Sequence, residues 1–261
     1  EGIAVDYISQ LLYITDFNDK VIQVIDFETN THRTLLEGLS QPRGIAIHPE
    51  QGWLYWTDVG SPPGIERVKM DGSGREALVT TDVFWPNGIT IDKPEGRLYF
   101  VDAYTGNIQS SWLNGSGRIT HFTTTTGVMS QRFFGIAVDQ MNIYVTSWDR
   151  SAVLHTSKTV QAGNNNNLDP LGEILVGNVR LFGIVITGSS YQKPGSNECS
   201  VNNGGCSHFC LPIPGGRTCS CPFGMDIQGL QCVTSQSVLF FVDASRKNIF
   251  KMSTSGGNHT P

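Results

Sequence analysis

The sequence predicts an all-β protein made of repeated four-stranded units, followed by a small disulfide-rich module. Three observations support this fold class. Short apolar and aromatic phrases recur about every 45 residues from the start of the chain to about residue 190. Glycine is abundant, at 29 of 261 residues, and charged residues make up only 16%, a composition that suits a turn-rich β protein better than a helical one. All six cysteines fall between Cys199 and Cys232.

The first recurring phrase is an almost wholly apolar run that begins with Gly-Ile. Its copies are Gly2-Ile3-Ala4-Val5-Asp6, Gly44-Ile45-Ala46-Ile47-His48, Gly88-Ile89-Thr90-Ile91-Asp92, Gly135-Ile136-Ala137-Val138-Asp139 and the degenerate Gly183-Ile184-Val185-Ile186. A run of this kind is typical of a strand that is buried on both faces. We therefore expect each copy to form the innermost strand of its unit.

A second phrase follows each of the first four copies. It comprises Leu12-Tyr13-Ile14-Thr15-Asp16, Leu54-Tyr55-Trp56-Thr57-Asp58, Leu98-Tyr99-Phe100-Val101-Asp102 and Ile143-Tyr144-Val145-Thr146-Ser147. β-Branched and aromatic residues bounded by Gly, Pro, Asn and Asp indicate strands joined by tight turns. A period near 45 residues holds about four short strands, which is one β-propeller blade. Helical solenoids share such periods, but their i, i+3, i+4 pattern is missing here.

These phrases are similar to the repeats of the low-density lipoprotein receptor-related family. Tyr55-Trp56-Thr57-Asp58 matches that family's YWTD motif, and the match extends to Gln41-Pro42-Arg43-Gly44, Trp85-Pro86-Asn87-Gly88 and Asp71-Gly72-Ser73. The resemblance implies a six-bladed YWTD β-propeller followed by an EGF-like module. The most similar members are those of the Wnt co-receptor and agrin-receptor type.

The ring of blades is expected to be incomplete. Six blades need about 260 residues, but only about 195 residues precede the cysteine-rich part. We expect about four and a half blades in residues 1–194, with the N-terminal blade missing, an EGF-like module in 195–234, and the opening strand of a following propeller or a tail in 235–261. The N-terminus lacks the features of a signal peptide, so the chain is expected to be a fragment. A further expectation is that residues 238–252 pair with residues 183–187 and complete a blade.

The six cysteines indicate a disulfide framework, which requires an oxidising compartment. The paired C-x-x-C spacing of a zinc site is absent. Spacing alone permits fifteen pairings, but the single residue between Cys219 and Cys221 is typical of an EGF-like module. That resemblance implies the pairs Cys199–Cys210, Cys206–Cys219 and Cys221–Cys232.

Calcium is not expected at this module, and no other metal or cofactor is expected in the chain. Asn197 and Glu198 match residues that precede the first cysteine in calcium-binding EGF-like modules, but Gly195 replaces the upstream acid. The later Asn/Asp–aromatic pair is also missing between Cys210 and Cys219. Too few of the six to eight oxygen ligands that calcium requires are therefore in place.

The ligand-binding residues are expected on one rim of the propeller. In a strand meander, residues just before each first phrase share a face with residues just after each second phrase. This places Arg43, Trp85, Asn87 and Phe134 together. Trp and Arg dominate interface energetics, and an amide both donates and accepts. The resemblance implies that this rim captures an Asn-bearing loop of a secreted or matrix protein. The alternative is that Trp85-Pro86-Asn87-Gly88 is only a turn and that Trp85 packs on the neighbouring blade.

The recurring aspartates and the two sequons are not predicted to be catalytic. Asp16, Asp58 and Asp102 recur at one place in successive repeats, which favours a structural role as hydrogen-bond acceptors, for example between blades. Asn114-Gly115-Ser116 is a glycosylation sequon on a predicted turn, and Asn258-His259-Thr260 is a second one, weakened by Pro261.

The predicted function is extracellular protein binding, without enzyme activity. The net charge of −5 and the lack of a basic cluster argue against nucleic acid as a partner, and no apolar run is long enough for direct membrane insertion. The resemblance implies the ectodomain of a single-pass membrane receptor, acting in Wnt-type signalling or endocytosis. The alternatives are a secreted basement-membrane matrix protein of the nidogen type and, more remotely, a propeller hydrolase.

Overall fold

The chain folds almost entirely into antiparallel strands. The computed structural model describes residues 2–123, 132–159, 169–170, 180–187, 195–234, 238–243 and 248–253, of which 169–170, 238–243 and 248–253 are described by their backbone alone. Four four-stranded sheets and three two-stranded sheets account for the strands of this part. Its single helical element is a short 3-10 turn, Asn202–Gly205. The predicted all-β fold class is confirmed.

Four consecutive sheets form the blades, and each runs in chain order from its innermost strand. Blade 1 comprises β1 (Gly2–Asp6), β2 (Leu11–Asp16), β3 (Val21–Asp26) and β4 (Thr31–Leu36). Blade 2 comprises β5 (Pro42–His48), β6 (Trp53–Asp58), β7 (Gly64–Lys69) and β8 (Glu76–Val79). Blade 3 comprises β9 (Pro86–Asp92), β10 (Arg97–Asp102), β11 (Asn107–Trp112) and β12 (Ile119–Phe122). Blade 4 comprises β13 (Phe133–Val138), β14 (Asn142–Ser147), β15 (Ala152–Ser157) and β16 (Asp169–Pro170). As predicted, the first four copies of the first phrase form the innermost strands and the second phrase forms the strand beside each of them. The expectation fails for the fifth copy, Gly183-Ile184-Val185-Ile186, which forms no strand.

Successive blades are held together by apolar cores. Side chains on a strand point alternately to its two faces, so neighbouring aromatics of one strand reach opposite blades. Trp56 of β6 joins the core shared with blade 1, which also holds Tyr13. Tyr55, the preceding residue, joins the core shared with blade 3, beside Phe100. All four side chains are fully buried, and burial of one large apolar side chain stabilises a fold by about 1.5–3 kcal/mol.

The inner strand of blade 1 has apolar side chains that blade 2 does not cover. Ile3 and Val5 are 66% and 52% exposed. Ile45 and Ile89, which occupy the position of Ile3 in the next two blades, are each only 7% exposed because the preceding blade covers them. Among the described blades, none covers this side of blade 1, as the exposure of these two side chains shows.

The expected pairing between residues 238–252 and residues 183–187 is wrong. Residues 181–187 form no strand, and β21 (Val238–Asp243) pairs instead with β22 (Asn248–Ser253) in a separate two-stranded sheet. Residues 244–247 alone separate these two strands, so their pairing closes a short loop. Pairing with residues 183–187 would close a loop around the whole cysteine-rich module, which costs more entropy.

The cysteine-rich module contains two small hairpins. One pairs β17 (Phe209–Ile213) with β18 (Gly216–Ser220), and the other pairs β19 (Met225–Gln228) with β20 (Gln231–Thr234). Its disulfides are Cys199–Cys210, Cys206–Cys219 and Cys221–Cys232, with Cα–Cα distances of 5.6, 5.4 and 5.6 Å. These are the pairs that the EGF-like resemblance implies, and the distances lie in the usual range.

The module packs on blades 1 and 2. Phe209 and Leu211 of β17 are each 1% exposed and belong to the apolar core of those two blades. Three polar contacts surround them, namely Asn197 Nδ2 to Pro49 O (3.0 Å), Thr218 Oγ1 to Asp71 Oδ2 (2.8 Å) and Arg33 Nη1 to Cys221 O (3.2 Å). Pro49 and Asp71 lie in turns that follow β5 and β7, so the module covers the ends of blades opposite to the predicted binding rim. We call this side the module face.

Candidate functional site

The rim is built by the same backbone hydrogen bond in successive blades. The residue that follows the second strand of a blade donates its amide to the segment that enters the same blade. The bonds are Val59 N to Gln41 O (3.1 Å), Ala103 N to Trp85 O (2.9 Å) and Trp148 N to Arg132 O (3.0 Å). The loops before the first strand and after the second strand are therefore fixed side by side, as the meander argument predicts.

The recurring aspartates hold these loops. Asp58 accepts the amides of Ser40, Gln41 and Gly60 at 2.8–3.0 Å. Asp102 accepts those of Phe84, Trp85, Tyr104 and Thr105 at 2.6–3.1 Å. Asp16 accepts those of Asn18 and Asp19. These carboxylates bind backbone donors of their own rim loops, which supports the structural interpretation over a catalytic one.

The hydrogen bonds between blades come instead from the threonine before each aspartate. Thr57 Oγ1 donates to Asn87 O of the next blade at 2.6 Å and accepts from Gly44 N at 2.9 Å. Thr15 and Thr146 make equivalent pairs of bonds, the first to Arg43 O and the second to Phe182 O. This role of threonine was not predicted, although threonine recurs in the YWTD-like phrase at Thr15, Thr57 and Thr146.

Arg43 and Asn87 lie together, as predicted, but Arg43 is half-buried and Asn87 is buried. Arg43 Nη1 donates to Asn87 Oδ1 at 2.7 Å, and Asn87 Nδ2 donates to Phe133 O at 2.8 Å. The chain of bonds thus links blades 2, 3 and 4. Asn87 is 4% exposed, so its amide is directed at protein groups. Its position is that of a residue that orients Arg43.

Aromatic rings surround the Arg43 guanidinium. Its carbon lies 5.7 Å from the ring centroid of Phe17 and 5.9 Å from that of Trp85, within the range of cation–π attraction. Beside Trp85, the rings of Phe84 and Tyr104 pack 5.3 Å apart and remain 52% and 38% exposed. The rim therefore carries aromatic side chains and a cation that contacts two of them.

A second aromatic cluster extends the rim at blade 4. Phe134 stacks on Trp148 with centroids 4.9 Å apart, and Phe182 meets both rings edge-on at 4.9 and 5.4 Å. The Arg180 guanidinium lies 5.2 Å from the Trp148 ring. Phe134 is half-buried in this cluster, whereas Phe182 is 54% exposed.

On the module face, a carboxylate joins three blades. Glu50 accepts from Tyr7 Oη and Lys93 Nζ at 2.9 Å each, and His48 Nδ1 lies 3.1 Å from it. Burial acts to raise the pKa of Glu50, but the hydrogen bonds from His48 and Lys93 outweigh it and hold this pKa well below its ordinary range. Burial and the bond to Glu50 raise the pKa of Tyr7 to about 12. These groups stabilise the ring of blades and have no role at the rim.

Asn197, one of the residues considered for calcium, has other partners. Asn197 donates to Pro49 O and accepts from Cys199 N at 2.8 Å. In the described part of the chain, no group of three or more His, Cys, Asp or Glu side chains is arranged to hold a metal ion. Nor does that part contain a helix that is long and apolar enough to cross a membrane. Asn258 lies outside the described residues.

Two family models match the chain. The low-density lipoprotein receptor repeat class B matches residues 52–93, which contain the YWTD phrase of blade 2. The coagulation factor Xa inhibitory site matches residues 199–232, which contain all six cysteines.

The similar curated proteins are receptors or are named after one. The low-density lipoprotein receptor-related protein 5-like protein of Homo sapiens is 31% identical over 176 residues, or 67% of this chain and 68% of that protein. The vitellogenin receptor Yl of Drosophila melanogaster is 31% identical over 232 residues, and the vitellogenin receptor of Solenopsis invicta is 31% identical over 224 residues. These matches cover 86% and 84% of this chain, but only 11% and 12% of the two receptors.

Two solved structures share the fold at low identity. A nidogen/laminin complex contains a chain with a TM-score of 0.50 and 21% identity, covering 70% of this chain and 83% of that one. A gluconolactonase of Xanthomonas campestris has a TM-score of 0.58 and 16% identity, covering 72% of this chain and 66% of that one. At such identities the likeness concerns the propeller fold alone, which hosts both binding proteins and enzymes.

Proposed function

This chain belongs to the low-density lipoprotein receptor-related protein family, and we propose that it is a non-catalytic, extracellular ligand-binding part of a cell-surface receptor. Its ligands would be secreted or matrix proteins, and the rim would bind them. Three disulfides agree with an oxidising, extracellular setting. No cofactor enters the proposal, because protein recognition requires only the side chains of the rim.

The observation that carries the proposal is the composition of the rim. Phe84, Tyr104 and Phe182 expose 38–54% of their area, although aromatic side chains are usually buried in a single chain. On the same rim, the Arg43 guanidinium lies 5.7 Å from the Phe17 ring and 5.9 Å from the Trp85 ring. Exposed aromatics around an arginine are the residues that dominate binding energy at protein interfaces.

Within this surface we assign different roles to the four predicted residues. Trp85 and Arg43 would contact the ligand, and Asn87 would act through Arg43 by fixing its guanidinium. An amide oxygen of a ligand asparagine is an acceptor that a guanidinium binds well, which supports an Asn-bearing loop as the ligand element. Phe134, half-buried under Trp148 and Phe182, would support the outer part of the rim.

The hydrogen bonds of the recurring carboxylates favour a non-catalytic role. Asp58 and Asp102 each accept at least three backbone amides. A general acid or base must reach a substrate proton, and these groups are already engaged in holding loops. The relatives with receptor names support the same conclusion.

The experiment is a selection of disulfide-cyclised peptides displayed on phage against the immobilised chain. We expect enriched loops that contain asparagine, and about 5- to 150-fold weaker binding of these loops to the Arg43→Ala and Trp85→Ala variants, which corresponds to about 1–3 kcal/mol. Phe27→Ala is the matched control, because Phe27 is 49% exposed in a turn on the module face. Loops without asparagine, or binding that only Phe27→Ala weakens, would refute the proposal.

A further inference from the structure

Blades 2 and 3 carry the same turn between their third and fourth strands, on the module face. The two segments are Lys69-Met70-Asp71-Gly72-Ser73-Gly74-Arg75 and Trp112-Leu113-Asn114-Gly115-Ser116-Gly117-Arg118. Asp71 Oδ1 accepts from the amide and hydroxyl of Ser73 at 2.9 and 2.7 Å. Asn114 Oδ1 accepts from the amide and hydroxyl of Ser116 at 3.1 and 2.7 Å. The two turns therefore share one hydrogen-bond pattern.

The two turns differ in what their central side chain meets. Asp71 uses its second oxygen to accept from Thr218 of the module at 2.8 Å, so the turn of blade 2 is a docking contact. Asn114 is exposed to solvent and is followed by glycine and serine, which completes a sequon. The position that contacts the module in blade 2 is therefore a glycan attachment sequence in blade 3.

We infer that Asn114 carries an N-linked glycan whose first N-acetylglucosamine packs on the ring of Trp112. The donor is an oligosaccharide attached to a lipid diphosphate. Transfer breaks the bond between sugar C1 and the diphosphate oxygen, forms a bond between C1 and Asn114 Nδ2, and releases one amide proton and the lipid diphosphate. Because disulfides form in the same secretory compartment, a chain that acquires its three disulfides there also meets this donor.

Trp112 is placed to receive the sugar. It lies two residues before Asn114, and its own backbone closes the turn, with Gly115 N donating to Trp112 O and Trp112 N donating to Ser116 O at 2.8 Å each. The Arg97 guanidinium lies 4.5 Å from the ring and covers one face, yet Trp112 is 47% exposed. Gly117 also lies against the ring, near Cδ1 and Nε1. The ring surface that stays exposed is electron-rich and attracts the C–H groups of a sugar. In blade 2 the equivalent residue is Lys69, which offers no such surface.

The first experiment asks whether Asn114 is modified when the chain is secreted from insect cells. We expect a mobility shift that Ser116→Ala abolishes and that Thr260→Ala, which removes the second sequon, leaves in place. Glycan release by a peptide N-glycosidase in heavy-oxygen water should label residue 114, and a parallel incubation without the enzyme measures the label that spontaneous deamidation at Asn114-Gly115 adds. A chain with no label at residue 114 would overturn the glycan assignment.

The second experiment tests the role of Trp112, using the Thr260→Ala chain made with a mannosidase inhibitor. Endoglycosidase H leaves one N-acetylglucosamine on Asn114, whereas the peptide N-glycosidase converts Asn114 to aspartate. Aspartate is compatible with this turn, because Asp71 makes the same hydrogen bonds in blade 2. We expect the one-sugar form to unfold at a higher temperature, and the difference to vanish in Trp112→Lys, a variant that copies the blade 2 turn. Equal unfolding temperatures of the two forms with Trp112 intact would refute the stacking. Neither result depends on ligand binding at the rim, since Asn114 lies on the module face.

Discussion

The hydroxyl of Thr57 is predicted to stabilise the contact between blades 2 and 3. Thr57 is fully buried and bridges Gly44 N of its own blade and Asn87 O of the next. Thr57→Val keeps the shape of the side chain and removes both bonds. A buried donor or acceptor left without a partner costs about 1–3 kcal/mol, so the loss of two should lower the free energy of unfolding by about 2–4 kcal/mol. At roughly 2–4 °C per kcal/mol, the melting temperature measured by circular dichroism should fall by about 5–15 °C.

Blade 3 supplies the reciprocal control, because Val101 stands where the other three blades have threonine. The glycines that begin β-strand phrases in blades 2 and 3 approach the next blade equally closely. A Cβ added to Gly44 would lie 2.3 Å from Asn87 O, and a Cβ added to Gly88 would lie 2.4 Å from Phe134 O. Val101→Thr should therefore cost less than 1 kcal/mol, because its hydroxyl would have partners in place. A melting temperature of Thr57→Val within 1 °C of wild type, or equal losses in both variants, would refute the bridging role.

Two further predictions concern stability. Burial lowers the pKa of His121 to about 4, so the folded state favours the neutral ring. The contribution of His121 to the free energy of unfolding is therefore complete above the unfolded pKa of about 6.5. It should fall by up to about 3 kcal/mol as the pH drops to 4. Urea unfolding should show a smaller loss for His121→Gln, and an equal loss would contradict this. Leu211→Ala should lower the free energy of unfolding by about 2–5 kcal/mol and speed proteolysis of the module. Leu230→Ala is the control and should change neither, because Leu230 is 46% exposed. If Leu211→Ala leaves the stability unchanged, the module does not pack on the blades as described.

Much of the fold was predictable from the sequence because the signal repeats. The phrases at Gly44 and Tyr55 indicate strands by composition, and their recurrence fixes the blade as the unit. Even the opposite burial of Tyr55 and Trp56 follows from strand alternation.

The parts that were missed depend on contacts between distant segments. Asn87 is a predicted ligand-binding residue because an amide both donates and accepts, but its burial depends on Arg43 and Phe133 from other blades and could not be predicted. The place of the module on the blades was not predicted either. A signal existed in Phe209 and Leu211, two large apolar residues in a module whose own core is mostly cystine. The tail prediction failed because composition identifies a strand without identifying its partner.

Hydrogen–deuterium exchange of the chain with and without a selected asparagine-bearing loop tests the central claim most directly. If the rim is the ligand-binding surface, bound peptide will slow exchange in the loops that flank Arg43 and Trp85, which are residues 17–20, 59–63, 84–87 and 103–106. Exchange in the turns at residues 49–52 and 71–75 and in the module will be unchanged. Slowed exchange confined to those turns or to the module would place the ligand on the opposite face and contradict the account.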